Sequence, residues 1–273
     1  MTANKILTYE RATQALAANG ARVYITSRRE DVLKKSAEAH TTAESGNIIP
    51  ITCDVTKKED LEKLVKEIES KEPNGIDLLV VAAGVDGERA APEDSDASKL
   101  HERLMKEDPA KWSSTFDTNV TAVYFTTVAF LPLLQASRKE GGKGHFNPSV
   151  ITISSMSGIM SHAQGHFSYN ASKAATIHLS KMMAYEFKDA SIRVNSIAPG
   201  YFPSEMTTHG ESNEDNKSEL PKEKTQQKGH VPQMRPGKDE EMAMAVLFFA
   251  KNRYVNGEVI AVDGGVLLDV PAR

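Results

Sequence analysis

Tyr169 and Lys173 stand four residues apart in Tyr169-Asn-Ala-Ser-Lys173. On a helix that spacing puts both side chains on one face, about 5–6 Å apart at Cβ. A phenol ionises near pH ~10 on its own. A neighbouring ammonium favours the phenolate, so the pair predicts a lowered tyrosine pKa and a general acid or base usable near neutrality. The spacing is common by chance, and its surroundings must decide. Fourteen residues before Tyr169 is Ser155, just past the apolar run Ser149-Val-Ile-Thr-Ile-Ser154. A strand over that run would deliver a serine hydroxyl to its carboxyl end, where ligands bind in open α/β sheets. Ser154 and Ser157 are rivals for that role.

The elements needed to position these groups alternate along the chain. Strands are predicted over Arg22–Thr26, Ile48–Thr52, Asp77–Ala83, Ser149–Ser154, Ile192–Ala198 and Glu258–Val262, several of them near-continuous apolar runs of the kind buried on both faces. Helices are predicted over Arg11–Asn19, Arg29–His40, Trp112–Ala136 and Tyr169–Phe187. A further one follows Thr56-Lys-Lys-Glu59, which reads as a capping box, and places Leu61, Leu64, Val65 and Ile68 on one face. This alternation implies right-handed crossovers and a single doubly wound α/β domain over 1–273, with a mostly parallel, Rossmann-like sheet. Polar insertions at about 86–108 and 209–228 read as surface loops, the second as a solvated segment or a lid over the substrate.

Composition excludes several classes. The chain has 273 residues, 40% hydrophobic and 26% charged, and a net charge of −4. That carries no basic footprint for nucleic acid. No apolar run approaches the roughly 18 residues of a membrane span. Cys53 is the single cysteine and reads as a small buried residue. His162, His166 and His178 lack a metal-ligand pattern and read as structural or surface residues. A soluble cytoplasmic protein is expected, with organelle import left open by the Ala-rich stretch before Gly20. The apolar run Val123–Leu134 would permit a dimer or tetramer.

With Ser155, Tyr169 and Lys173 in place, the chain from about Thr13 to Leu267 resembles the short-chain dehydrogenase/reductase family, most nearly its 3-oxoacyl-carrier-protein-reductase-like branch. The resemblance implies that Ser155 polarises a substrate carbonyl, Tyr169 donates the proton, and Lys173 holds the nicotinamide ribose and lowers the tyrosine pKa. Asp117-Thr-Asn-Val120 resembles the family's asparagine segment, which points to Asn119 and a water-linked proton relay. The serine–tyrosine spacing is one residue longer than usual. Asp54 and Val55 resemble the pair that contacts adenine. Ala83 and Gly84 end a segment that usually reads Asn-Ala-Gly. Pro199 and Gly200 resemble the backbone that meets the carboxamide, with Ser204 where a threonine is usual. Asp263-Gly-Gly265 matches the last strand's ending. Arg28, with no acid at the tip of its strand, favours NADP over NAD, because a guanidinium grips the 2′-phosphate.

The start departs from the family. A strand and a glycine-rich turn should precede Thr13, yet no glycine occurs before Gly20. The first strand is expected to be short or missing, with Lys5–Thr8 available to improvise one. Either the chain is a truncated or mis-spliced form, or it has lost strong cofactor binding. The implied reaction is NADPH-dependent reduction of a ketone or 3-oxoacyl-type carbonyl to a secondary alcohol, or the reverse. The substrate is a small carbonyl or alcohol. The rivals are a catalytically impaired or non-catalytic binding protein on the same fold, and an oxidase or isomerase.

Overall fold

A computed structural model describes residues 5–8, 10–41, 47–90, 92, 95–137, 148–203 and 231–270. Seven parallel strands form one sheet: β1 (Lys5–Thr8), β2 (Arg22–Ser27), β3 (Ile48–Thr52), β4 (Leu78–Val81), β5 (Ser149–Ile153), β6 (Arg193–Pro199) and β7 (Val259–Val262), in the order β3-β2-β1-β4-β5-β6-β7. The reversal between β1 and β4 is the topological switch point of a doubly wound sheet. β1 is short but present: Lys5–Thr8 pairs with Arg22–Ile25, and Ile6 and Leu7 pair with Leu78 and Leu79. The four residues supply the partner that two central strand edges need.

Helices cover both faces, because alternate residues of each strand point to opposite sides. Leu78 and Val80 face one layer, with Leu16 of α1 (Glu10–Ala18), Leu33 of α2 (Glu30–His40) and Val246 and Phe249 of α8 (Asp239–Lys251). Leu79 and Val81 face the other, with Leu61, Leu64 and Ile68 of α3 (Lys58–Lys71), Phe130, Leu133 and Leu134 of α6 (Ala122–Ala136), and Met183 of α7 (Phe167–Glu186). A short helix α9 (Val266–Asp269) follows β7.

Three local readings change. Thr56 does not cap α3: the helix starts at Lys58, and the Thr56 hydroxyl instead donates to Asp54 at 2.7 Å. The insertion at 86–108 is only partly loop, since it contains α4 (Ala97–Leu104), capped by the Asp96 carboxylate accepting from Ser98 N. The span Pro109–Ala136 is long and apolar enough, by composition, to cross a membrane. It comprises α5 (Pro109–Phe116), a π-helical turn (Asp117–Thr121) and α6. Its residues Val123, Phe130, Leu133 and Leu134 are buried in the core, as in a central helix of a packed α/β domain. The segment 209–228 lies outside the described residues.

Arg193 fastens β6 to the end of α8. Its side chain is buried, and its guanidinium donates to the carbonyls of Asn252 (3.1 Å), Val255 (3.0 Å) and Phe249 (3.1 Å). Burial lowers its pKa to about 10. Arg193→Ala strips this donor from the Asn252 and Phe249 carbonyls, at about 1–3 kcal/mol for each left buried and unpaired, while the Val255 carbonyl keeps the Asn195 amide at 3.2 Å. The expected loss is about 2 kcal/mol or more, read as a lower urea midpoint with unchanged slope. An unchanged midpoint would mean the fork does not hold the helix end.

Candidate active site

The residues singled out along the chain converge at the carboxyl ends of the strands. Arg28 follows β2, Asp54 and Val55 follow β3, Ala83 and Gly84 follow β4, Ser155 follows β5, and Pro199 and Gly200 close β6. Ser204 lies outside the described residues.

Ser155 is buried at the start of a 3-10 turn (Met156–Gly158), where its Oγ accepts from Ser157 N at 3.1 Å. The Ser155 side chain acts on the Tyr169 phenol, favouring its ionised form against the rise that burial causes. Ser154 is engaged elsewhere: its hydroxyl donates to the Ile197 carbonyl at 3.0 Å and accepts from Ser196 at 2.9 Å. Ser157 contributes its backbone N–H to Ser155. Ser155, rather than either rival, is the serine whose side chain acts on the phenol.

Lys173 lies on the same helix, buried, with Nζ 5.7 Å from the Tyr169 ring centroid. It donates to the Ile153 carbonyl at 3.0 Å. Gly84 passes beside it: a Cβ at that position would stand 3.3 Å from both Lys173 Nζ and Asn119 Oδ1. The two side chains thus flank one glycine.

Asn119 sits in the π-helical turn between α5 and α6 and is fully buried. Its Oδ1 accepts from Val85 N at 2.9 Å, and its Nδ2 donates to the Val85 carbonyl (3.0 Å) and Ser172 Oγ (2.9 Å). Its own carbonyl accepts the Thr176 hydroxyl at 2.7 Å. The π turn turns this carbonyl toward α7, and π-type irregularities often mark functional sites. Ser172, read along the chain only as a spacer between Tyr169 and Lys173, links Asn119 to the Tyr169 carbonyl, to which it donates at 2.8 Å. Its position three residues after the tyrosine was the available signal.

The expected lowering of the Tyr169 pKa is corrected. Burial pushes it up; the hydrogen bond with Ser155 opposes this, and the Asp86 carboxylate adds to the rise. Burial also lowers Lys173 to about 8. Desolvation disfavours the charged form of both groups and is the largest influence on each. For Lys173 the folded value lies below the unfolded reference of ~10.4. The unfolded chain therefore binds the extra proton between those values, and stability rises with pH across that window. Lys173→Met should flatten the rise in urea midpoint between about pH 8 and about pH 10. An identical rise in the variant would show that another group causes it.

At the cofactor end the fit is uneven. Gly200 permits a close approach, since a Cβ there would stand 2.6 Å from Asp263 Cα. Asp54 Oδ1 is occupied by Thr56 N (3.1 Å) and its hydroxyl, which hold its carboxyl below the usual range. Arg28 is exposed at the β2 tip, and Val55 is half-buried against the α3 layer. Gly200 and the Lys173–Gly84 juxtaposition suit the ribose and nicotinamide end of a dinucleotide, and the strand-end positions of Arg28, Asp54 and Val55 suit its adenosine end. The pyrophosphate end does not fit: a single residue separates β1 from α1, and no glycine precedes Gly20. Such a connection offers no glycine nest.

Other candidates fall away from the chemistry. Burial pushes Cys53 up to about 11, an inert thiol. His162 and His178 are exposed, and no metal-binding cluster of His, Cys, Asp or Glu occurs among the described residues. A cavity of about 350 Å³ is lined by Tyr201, Phe202, Gln233, Arg235, Glu241 and Asp263, among others, and by none of Ser155, Tyr169 and Lys173. Its charges are spent internally, with Arg235 gripping Glu241 at 2.9 and 2.6 Å.

A doubly wound sheet with a serine, tyrosine and lysine converging at its rim defines a nicotinamide-type oxidoreductase fold. The family model described as enoyl-(acyl carrier protein) reductase matches residues 10–267. The chain is 38% identical over 264 residues to the short-chain dehydrogenase/reductase PhomF of Diaporthe leptostromiformis, covering 95% of this chain and 87% of that protein. It is 30% identical over 247 residues to the 3-oxoacyl-[acyl-carrier-protein] reductase FabG of Thermotoga maritima, covering 89% and 85%. The Pseudomonas aeruginosa RhlG/NADP active-site complex superposes with a TM-score of 0.78 at 29% identity, covering 97% of each chain. This chain belongs to the short-chain dehydrogenase/reductase family of oxidoreductases, whose members use NAD(P) and act on small molecules.

Proposed function

We propose that the chain reduces a ketone, including the 3-oxoacyl type, to a secondary alcohol with NADPH, or runs the reverse. The convergence of Ser155, at the end of β5, with Tyr169 and Lys173 of α7 carries this reading, because it marks one place for a carbonyl oxygen to meet two hydroxyl donors. When bound, the cofactor supplies hydride to the carbonyl carbon. Ser155 holds the oxygen as negative charge develops, the kind of preorganised donor that contributes most to such reactions. Tyr169 gives that oxygen its proton, and its raised pKa keeps the phenol protonated beforehand. Lys173 stands ready to restore the proton, and Asn119 fixes the strap over Gly84 beside it. Arg28 favours NADPH, since a guanidinium can pair with the 2′-phosphate. The RhlG complex is a relative of this type that holds NADP.

The one-residue link between β1 and α1 favours a second reading, a family member that binds cofactor weakly or not at all. Protein fluorescence titrated with NADPH separates the two. Saturable binding and ketone-dependent NADPH oxidation support the reductase. No saturation up to millimolar NADPH supports the binding-protein reading. Insertion of a Gly-x-x-x-Gly-x-Gly turn between Thr8 and Glu10 should tighten NADPH binding by an order of magnitude or more, since it supplies backbone N–H groups to the phosphates. No gain would mean the N-terminal segment is not what limits affinity.

A further inference from the structure

Helix α7 meets its neighbours along a row of hydroxyls. Ser168, Ser172, Thr176 and Ser180 recur every four residues and are all buried. Tyr169 and Lys173 each follow one of them, so whatever holds the row also orients the two reactive side chains. The Ser172 proton goes to the Tyr169 carbonyl at 2.8 Å, which leaves the Ser172 oxygen to accept from Asn119 Nδ2 at 2.9 Å. Asn119 Nδ2 also donates to the Val85 carbonyl, and its Oδ1 accepts from Val85 N. Val85 adjoins Gly84, and a Cβ at Gly84 would stand 3.3 Å from Lys173 Nζ. Lys173 in turn adjoins Ser172. The contacts thus close a ring through Ser172, Asn119, Val85, Gly84 and Lys173.

Other fasteners on α7 act independently of this ring. The turn that begins at Ser155 meets the helix backbone at Gly158, where a Cβ would stand 2.6 Å from Ala174 N. The Thr176 hydroxyl holds the Asn119 carbonyl at 2.7 Å, which keeps the π-helical turn against α7 without help from Ser172. Among the described residues, Ser172 is the one that bonds the Asn119 side chain to α7. Its hydroxyl therefore governs the spacing between Gly84 and Lys173, while the Gly158 contact governs that between Ser155 and the helix.

We propose that Ser172 is a positioning residue for the cofactor: by tying the Asn119 side chain to α7, it holds the Val85 segment so that Gly84 and Lys173 keep the spacing a nicotinamide ribose needs. This rests on the reductase reading. Without the hydroxyl, one Nδ2 proton of Asn119 is left buried and unpaired, a costly state. The amide then shifts toward another acceptor and carries Val85 with it. Cofactor binding weakens, while the groups that serve the carbonyl stay in place.

The test compares Ser172→Ala with Ser180→Ala. Ser180 is also buried, two turns further along α7, and its hydroxyl bonds to Thr152 and to the Thr176 carbonyl, both at 2.7 Å. Alanine suits a helix interior, so both variants should fold. In Ser172→Ala the NADPH Kd, read by fluorescence titration, should rise roughly five- to tenfold. At saturating NADPH its kcat and ketone KM should stay within about twofold of wild type. Ser180→Ala should lower the urea midpoint and leave the NADPH Kd near wild type. An equal rise in Kd in both variants, a rise in neither, or a loss confined to kcat overturns the proposal. A second measurement needs no cofactor: amide hydrogen exchange at Val85, followed by NMR. Exchange there should quicken in Ser172→Ala and not in Ser180→Ala, and equal rates in the two overturn the proposal. A wild type that binds no NADPH, with exchange at Val85 quickened by Ser172→Ala alone, would sink the reductase reading and leave the tie standing.

Discussion

Tyr169→Phe should lower kcat/KM for ketone reduction by about 10²–10⁴-fold, the usual contribution of a positioned general acid. The ring keeps its place on α7, so folding and the urea midpoint should be close to wild type. Ser155 keeps its bond from the Ser157 N–H. A carbonyl oxygen in the site would then meet a single donor, with no proton to take as negative charge builds. Binding of NADPH should change far less than turnover, because the lost hydroxyl acts where the carbonyl reacts. The measurement is steady-state NADPH oxidation over a range of ketone concentrations, alongside the binding titration. Turnover within a few-fold of wild type would remove the phenol from the mechanism.

Gly158→Ala should damage both fold and activity. A Cβ at Gly158 would stand 2.5 Å from the Lys173 carbonyl carbon and 2.6 Å from Ala174 N. Both are backbone atoms in the middle of a 20-residue helix, and they cannot swing aside as a flexible side chain could. Overpacking of this kind costs about 1–3 kcal/mol. The chain's own remedy is to push α7 away from the turn that holds Ser155. Since α7 carries Tyr169 and Lys173, such a displacement moves both away from Ser155. The expected outcome is a lower urea midpoint together with a drop in kcat/KM of at least tenfold in the protein that remains folded. A stability loss with full activity would show that helix and turn move together.

These two residues show how unevenly the site could be read from the chain. Tyr169, Lys173 and Ser155 were legible because the spacing of the first two is a helical property and the third ends an apolar strand. Asn119 was reached by resemblance, yet its clamp on Val85 depends on a π-helical turn that no residue pattern announced. Gly158 was invisible, because what excludes a side chain there is a helix backbone fifteen residues further on. Ser154 and Ser155 could not be separated in the chain, since the choice depends on which hydroxyl meets the Ile197 carbonyl across the sheet.

The fold was more legible than the site. Six strands were read close to their observed bounds, because strands buried on both faces are nearly uniform apolar runs. β1 was harder: Lys5–Thr8 is a strand because Arg22–Ile25 and Leu78–Leu79 need a partner, not because its own residues insist on it. The Tyr169 pKa went the other way from the reading along the chain. Helical spacing shows that a lysine is near; it does not show how far each group is desolvated, and desolvation sets the sign.

The most direct test is transfer of deuterium from NADPH labelled at the reactive position of its ring. The wild type is mixed with the labelled cofactor and a ketone, and the alcohol is examined by NMR. The expected result is one deuterium on the carbinol carbon for each cofactor oxidised, with a solvent-derived proton on oxygen. Cofactor oxidised with no deuterium in the product, or alcohol formed with no cofactor consumed, would contradict a hydride passed to a carbonyl held by Ser155 and Tyr169.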